Sequence, residues 1–151
     1  MKKDSLAKEI VRNILIVCVE ISTLPEKERS IIMNFVHNEM AGEKFFLLSR
    51  LGTVADLVAP KTASLRYSII NELENLAKKG ASRIFIIGHE NCVAYESERF
   101  HGHSEKKKQL HDLRAAKKVI LNDFKHHISW DIELYFLGSD AEGKINLNQI
   151  E

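Results

Sequence analysis

The stretch Ile84–Cys92 constrains the fold more than any other part of the sequence, because an apolar run ends there in a glycine and a histidine. The run Ile84-Phe85-Ile86-Ile87 shows no polar alternation, which predicts a parallel strand buried on both faces. His89 and Cys92 follow this run and stand three positions apart. Both are therefore expected at the carboxyl end of the strand, where open α/β sheets bind their ligands.

A second apolar run, Ile14–Val19, carries Cys18, the other of the two cysteines in the chain. In a flavodoxin-like sheet the first strand lies beside the third, so Cys18 is expected next to His89. Two thiolates and one imidazole suit zinc and leave a fourth coordination position for water or substrate. The sequence therefore predicts that Cys18, His89 and Cys92 bind zinc. The alternatives are a disulfide, or two inert thiols and a loop histidine without a metal.

The rest of the chain predicts one α/β domain over residues 1–151, with a four-stranded parallel sheet in the order 2-1-3-4 and helices on both faces. Strands are expected at about 13–19, 45–50, 83–88 and 130–137, and helices at about 4–11, 23–42, 62–79 and 104–124. The last of these strands is expected at the sheet edge. Residues 51–61 and 93–103 are expected to form loops, and residues 138–151 a tail that allows one short strand at 145–147.

Composition limits the classes of partner. The 151 residues carry a formal net charge of +1, and the basic residues are dispersed among acidic ones, so no nucleic-acid partner is expected. No apolar stretch approaches the roughly 20 residues that span a bilayer, so no membrane partner is expected. The N-terminus lacks a small-residue cleavage site after its apolar run, which favours a cytoplasmic location.

The motifs at the strand ends resemble those of the β-class carbonic anhydrases and their short carbonic-anhydrase-like relatives. That family has C-x-D-x-R after its first strand and H-x-x-C after its third. This chain has Cys18-Val19-Glu20-Ile21-Ser22 and His89-Glu90-Asn91-Cys92 at the corresponding places. The segment Arg50–Pro60 is similar to the family segment that begins R-x-A-G, and the resemblance covers roughly residues 12 to 140.

The resemblance implies a zinc ion held by Cys18, His89 and Cys92, and reversible hydration of carbon dioxide to bicarbonate. In the family, a zinc-bound water loses a proton and attacks the carbon. An alternative reaction is hydrolysis of a similar small linear molecule, such as carbon disulfide or carbonyl sulfide. The resemblance also implies a homodimer in which the N-terminal helix reaches across to the partner.

Two candidate catalytic residues, Glu20 and Arg50, follow from a departure from the family motif after the first strand. Glu20 lies within that motif, and Arg50 is a candidate to replace the arginine that the motif lacks here. Glu20 replaces an aspartate that accepts a hydrogen bond from the zinc-bound water, and Ser22 replaces the arginine that restrains this aspartate. Because Glu20 is one methylene longer, one hypothesis is that it occupies the fourth zinc position and closes the site. Arg50 either takes over the role of the missing arginine or is an ordinary exposed residue. The alternative to an enzyme is therefore a zinc-binding relative with a regulatory or structural role.

Overall fold

The structure, a computed structural model, describes residues 11–40, 43–92, 95 and 104–151. The strands are β1 (Asn13–Val17), β2 (Phe45–Ser49), β3 (Arg83–His89), β4 (Asp131–Ser139) and β5 (Ile145–Gln149). The helices are α1 (Glu26–Met40), α2 (Thr53–Val58), α3 (Ala63–Lys78) and α4 (Ser104–Phe124). A short 3₁₀ turn, Ile21–Thr23, leads from β1 towards α1.

The strands form one five-stranded mixed sheet in the order β2-β1-β3-β4-β5. The first four strands are parallel, and β5 pairs with β4 in the antiparallel direction. Every residue of β1 is buried, as its uninterrupted apolar sequence predicts. Since the chain runs from β1 to β2 on one side and returns to β3 on the other, the topological switch point lies between β1 and β3.

Different helices cover the two faces of the sheet. Phe35 of α1 contacts the rings of Phe85 in β3 and Tyr135 in β4, at centroid distances of 5.7 and 4.5 Å. Gly88 lies on the opposite face, where a Cβ added to it would come within 3.1 Å of Leu113 in α4. Because side chains alternate along a strand, His89 at the end of β3 lies on the α1 face, like Phe85.

The α/β class and the parallel core are confirmed, but the predicted four-stranded, all-parallel sheet is wrong. The fifth strand extends the order to 2-1-3-4-5, and β4 is an interior strand rather than an edge strand. The predicted tail contains β5, which a hairpin places on β4, and the hydrogen bonds continue to Glu151, whose carbonyl accepts from Leu134 N–H. The predicted loop at 51–61 contains the six-residue helix α2.

Two further predictions fall largely outside the described residues. These are the N-terminal helix at 4–11 and the loop at 93–103, of which the structure describes Tyr95 alone. Among the described helices, none is both long enough and apolar enough to cross a membrane.

Candidate metal centre

Cys18 follows β1 directly and is fixed by the main chain. Its N–H donates to the carbonyl of Ile87 in β3 at 3.2 Å, and its carbonyl accepts from Gly52 N–H at 3.0 Å. Gly52 has φ +80°, a left-handed conformation that glycine adopts at low cost. Cys18 is thus positioned by β3, through Ile87, and by the residues after β2, through Gly52. Its side chain is buried.

The other two candidate ligands, His89 and Cys92, lie on a tight turn, the His89–Cys92 turn. His89 is the last residue of β3, and Glu90 N–H extends the pairing to β4 by donating to Leu137 O at 3.0 Å. Asn91 then reverses the chain with φ +54°, a conformation that asparagine tolerates better than most residues. The turn returns Cys92 to the sheet end, where both His89 and Cys92 are buried.

The three side chains converge as a group suited to a metal ion. One potential ligand atom from each of Cys18, His89 and Cys92 lies within 4.8 Å of the others, and the two sulfur atoms are 3.4 Å apart. A tetrahedral zinc with Zn–S bonds of about 2.3 Å separates its sulfurs by about 3.8 Å, so a shift of a few tenths of an ångström would suffice. The cysteines are free thiols rather than a disulfide.

The imidazole of His89 is oriented for ligation. Its Nδ1 is 2.8 Å from the carbonyl of Glu90, and because a carbonyl only accepts, Nδ1 carries the proton. Nε2 is then the nitrogen with a lone pair, and it is a buried atom without a hydrogen-bond partner in the described part of the chain. A buried nitrogen of this kind is suited to coordinate a metal ion, and backbone orientation of a ligating histidine is common at metal sites.

Electrostatics at the group favour a bound cation. The adjacent Cys92 sulfur and then burial raise the pKa of the Cys18 thiol well above its usual range. Burial alone lowers the pKa of His89, but the Cys92 sulfur, the Glu90 carbonyl and the charge of Glu28 on α1 outweigh it, so this pKa is raised. Two thiolates side by side in a buried site repel each other, and a divalent metal ion removes that repulsion.

Glu20 and Arg50 are not part of this group. Both side chains are exposed, and the cluster of potential ligand atoms in the described residues contains the two cysteines and the histidine. Glu20 precedes the 3₁₀ turn, and Arg50 follows β2, where its carbonyl accepts from Thr53 N–H and Oγ1. Their catalytic roles, and closure of the site by Glu20, stay predictions.

A buried polar network that sequence reasoning did not find lies beside the cysteines. Tyr95 Oη donates to Asp112 Oδ2 at 2.7 Å, and Lys108 Nζ contacts Asp112 Oδ1 at 3.0 Å. Burial, and next the Asp112 carboxylate, raise the pKa of Tyr95, to which the cysteines add. Tyr95 N–H also donates to Cys92 O at 2.9 Å, so the network ties the residues after the turn to α4.

Two more residues of α4 contact the turn itself. Glu105 accepts from the N–H of Cys92, and Gln109 donates to the carbonyl of His89. Nothing in the local sequence marks either residue, since polar side chains four apart on a helix are ordinary. Their significance appears only when α4 lies against the end of β3.

The chain matches no protein-family model, and a search of curated proteins returns no match to it.

Proposed function

We propose that the chain binds one Zn²⁺ through Cys18, His89 and Cys92 and uses it to hydrate carbon dioxide to bicarbonate. The observation that carries the metal site is the convergence of three buried potential ligand atoms, one of them Nε2 of His89, which has no hydrogen-bond partner among the described residues. Two soft sulfurs and an imidazole nitrogen are a donor set that zinc prefers. The hydration step rests on the resemblance of the two motifs to those of β-class carbonic anhydrases.

In this proposal zinc supplies Lewis-acid chemistry, lowering the pKa of a water towards about 7 so that it is a nucleophile near neutral pH. The protein provides the remaining functions. The Glu90 carbonyl holds the His89 tautomer, and both thiols give up their protons to the solvent when the ion enters. Glu20 accepts a hydrogen bond from the attacking water, and Arg50 restrains Glu20. Carbon dioxide and water then yield bicarbonate and one proton.

The first experiment measures the metal content of protein purified without chelators, alongside the variant Cys92→Ala. We expect about one zinc per chain in the parent protein and little in the variant, as a three-ligand protein site requires. Ser82→Ala is a control because Ser82 is exposed, precedes β3 at the end opposite His89, and contributes no ligand atom. A parent protein free of zinc, even after incubation with excess Zn²⁺, would overturn the metal site and the reaction together.

A stopped-flow assay of carbon dioxide hydration with a pH indicator tests the reaction separately. We expect hydration by the zinc-loaded parent and its loss in His89→Ala. A zinc-loaded protein without hydration activity would leave the metal site intact and overturn the proposed reaction. The same protein can be assayed with carbon disulfide and carbonyl sulfide, the other small linear molecules that the resemblance implies.

A second candidate function is a zinc-binding protein with a regulatory or structural role. Ser22 favours it, because a hydroxyl cannot supply the cation that restrains the carboxylate in the family. The double variant Glu20→Asp with Ser22→Arg distinguishes the two. Activity that appears only in the double variant would identify the parent site as degenerate. Equal activity in both proteins would show that this pair does not limit the reaction.

We also propose that the protein forms a homodimer and acts in the cytoplasm. The dimer rests on the family resemblance, and the cytoplasmic location rests on the two free cysteines, which a reducing compartment keeps as thiols. Sedimentation equilibrium of the full chain tests the dimer, and a molar mass near that of one 17.3 kDa chain at all concentrations would overturn it.

A further inference from the structure

We propose that Glu105 and Gln109 of α4 are positioning residues for the metal site, a pair that we call the α4 clamp. The inference rests on the proposed zinc site, because the clamp acts on the turn that carries two of its three ligands. Neither side chain belongs to the group of potential ligand atoms. Both act through the main chain of the His89–Cys92 turn.

Gln109 contacts the beginning of the turn. Its Nε2 donates to the carbonyl of His89 at 2.7 Å and to Glu105 Oε1 at 2.9 Å. An amide NH₂ has two hydrogens, so these two bonds use its full donor capacity. Gln109 is 2% exposed, and a buried bond of this kind is costly to lose, because the buried His89 would lose the donor to its carbonyl.

Glu105 contacts the end of the turn. Its Oε1, the atom that accepts from Gln109, also accepts from the N–H of Cys92 at 3.2 Å. Glu105 and Gln109 are four residues apart, so they lie on the same face of α4, one turn of helix from each other. The hydrogen bonds therefore form one chain from the His89 carbonyl, through the amide and the carboxylate, to the Cys92 amide.

This chain fixes the separation of the two ligand residues. His89 and Cys92 are three positions apart on a turn whose reversal depends on one residue, Asn91, with positive φ. A change of backbone at either end moves Nε2 or Sγ away from the position that a tetrahedral ion requires. Loss of residues that orient metal ligands commonly weakens metal affinity by about 10- to 100-fold.

The test compares Gln109→Met and Glu105→Ala with the parent protein. Met has nearly the volume of Gln but no donor, and Ala removes the acceptor of Glu105, which is half-buried. Glu105→Gln is the conservative variant, because its amide oxygen can still accept from both partners. Gln149→Met and Glu142→Ala are controls at exposed positions on β5 and in the turn before it.

Zinc dissociation constants come from competition with a chelator, and the absorption bands of the Co²⁺-loaded protein report ligand geometry. We expect Gln109→Met and Glu105→Ala to weaken zinc binding about 10- to 100-fold and to shift the Co²⁺ bands. Glu105→Gln and both controls should stay close to the parent. Unchanged affinity and unchanged bands in both clamp variants would overturn the positioning role while the proposed function survives.

A third readout uses the metal-free protein. Amide hydrogen exchange at Cys92 should be faster in Glu105→Ala than in the parent, because the N–H loses its acceptor. This result does not depend on zinc, so it separates a failure of the clamp from a failure of the metal site. A parent protein that takes up neither Zn²⁺ nor Co²⁺ would overturn the proposed function. It would also overturn the metal-positioning role of Glu105 and Gln109, which would then only stabilise the backbone of the turn.

Discussion

Two turns follow neighbouring strands at the same end of the sheet, and their hydrogen bonds are organised differently. In the β4–β5 turn, Asp140 Oδ1 accepts from the N–H groups of Glu142 and Lys144, at 2.9 and 3.0 Å. Asp140 Oδ2 accepts from Asn146 Nδ2, so all these partners lie within six residues, and the turn is exposed. The His89–Cys92 turn is buried at both ends, and the carbonyl of His89 and the N–H groups of Glu90 and Cys92 bond to residues of α4 and β4 that are 13 or more positions away.

The difference shows which turn depends on the assembled fold. The β4–β5 turn satisfies its own backbone, so it can form as soon as its two strands meet. The His89–Cys92 turn has its partners only when α4 lies on β3, and its geometry is thus coupled to the packing of the whole domain. Substitutions in the His89–Cys92 turn, or in the residues that contact it, should therefore change both stability and metal binding. Substitutions in the β4–β5 turn should change stability alone.

The largest expected effect is from Tyr95→Phe, which removes the hydrogen bond from the Tyr95 hydroxyl to Asp112 of α4. A buried hydrogen bond to a charged group contributes about 1.5–3 kcal/mol, so the free energy of unfolding should fall by about that amount. Urea denaturation of the metal-free protein measures it. Tyr67→Phe is the control, because Tyr67 is 72% exposed, and equal stabilities for the two variants would contradict the coupling described above.

A pair of glycine substitutions compares the two turns directly. An added Cβ at Gly88 would lie 3.1 Å from Leu113 Cδ1 and 3.2 Å from Gln109 Oε1, so Gly88→Ala should cost about 1–2 kcal/mol by overpacking. Gly143→Ala meets no atom within 4 Å but has φ +79°, and should cost about 1 kcal/mol through backbone strain.

Zinc titration then separates the two alanine variants. Only Gly88→Ala should weaken zinc binding, because Gln109 is one of the two neighbours that the added Cβ would displace. Similar zinc affinity in Gly88→Ala and Gly143→Ala would contradict the claim that only the His89–Cys92 turn is coupled to the packing of the domain.

The exposed β4–β5 turn contains a carboxylate, Asp140, whose titration can be followed away from the proposed metal site. Hydrogen bonds from the backbone N–H groups of Lys144, the larger cause, and Glu142 lower the pKa of Asp140 from its ordinary 3.8. Since the folded-state pKa is the lower one, its contribution to stability is present above the unfolded pKa and is lost as pH falls through the folded value.

Asp140→Asn should remove this small acid-dependent contribution. Amide chemical shifts of Glu142 and Lys144, followed by NMR over about pH 2 to 5, measure it. The parent should titrate with a pKa below 3.8, and the variant should not titrate there. A parent carboxyl that titrates at or above the ordinary value would show that the local hydrogen bonds do not stabilise this turn.

The central part of the fold could be predicted because its signals are local and strong. Uninterrupted apolar runs specify β1 and β3. Helical spacing of apolar residues specifies α3, and the residues on which that spacing rests, Ile69, Leu73 and Leu76, are buried as expected. Parallel strands that lie side by side bring their carboxyl ends together, which is why Cys18 and His89 could be paired from sequence.

Other parts could not be predicted because their signals are short or their partners are distant. The helix α2 has six residues and begins after Gly52, which reads as a loop signal. The strand β5 alternates apolar and polar residues, so the sequence allows a short strand at 145–147, but its full length and its pairing with β4 could not be predicted. The roles of Glu105 and Gln109 require knowledge of which helix lies against β3, which no local pattern contains.

Zinc K-edge X-ray absorption of the purified protein tests the central claim most directly. The account predicts about two sulfur scatterers at about 2.3 Å and one imidazole nitrogen at about 2.0–2.1 Å, plus one further light atom. Cys18→Ala should reduce the sulfur contribution to about one scatterer, if the ion is retained. A shell of oxygen and nitrogen alone, or a zinc signal that Cys18→Ala and Cys92→Ala leave unchanged, would contradict the claim that this group holds the metal.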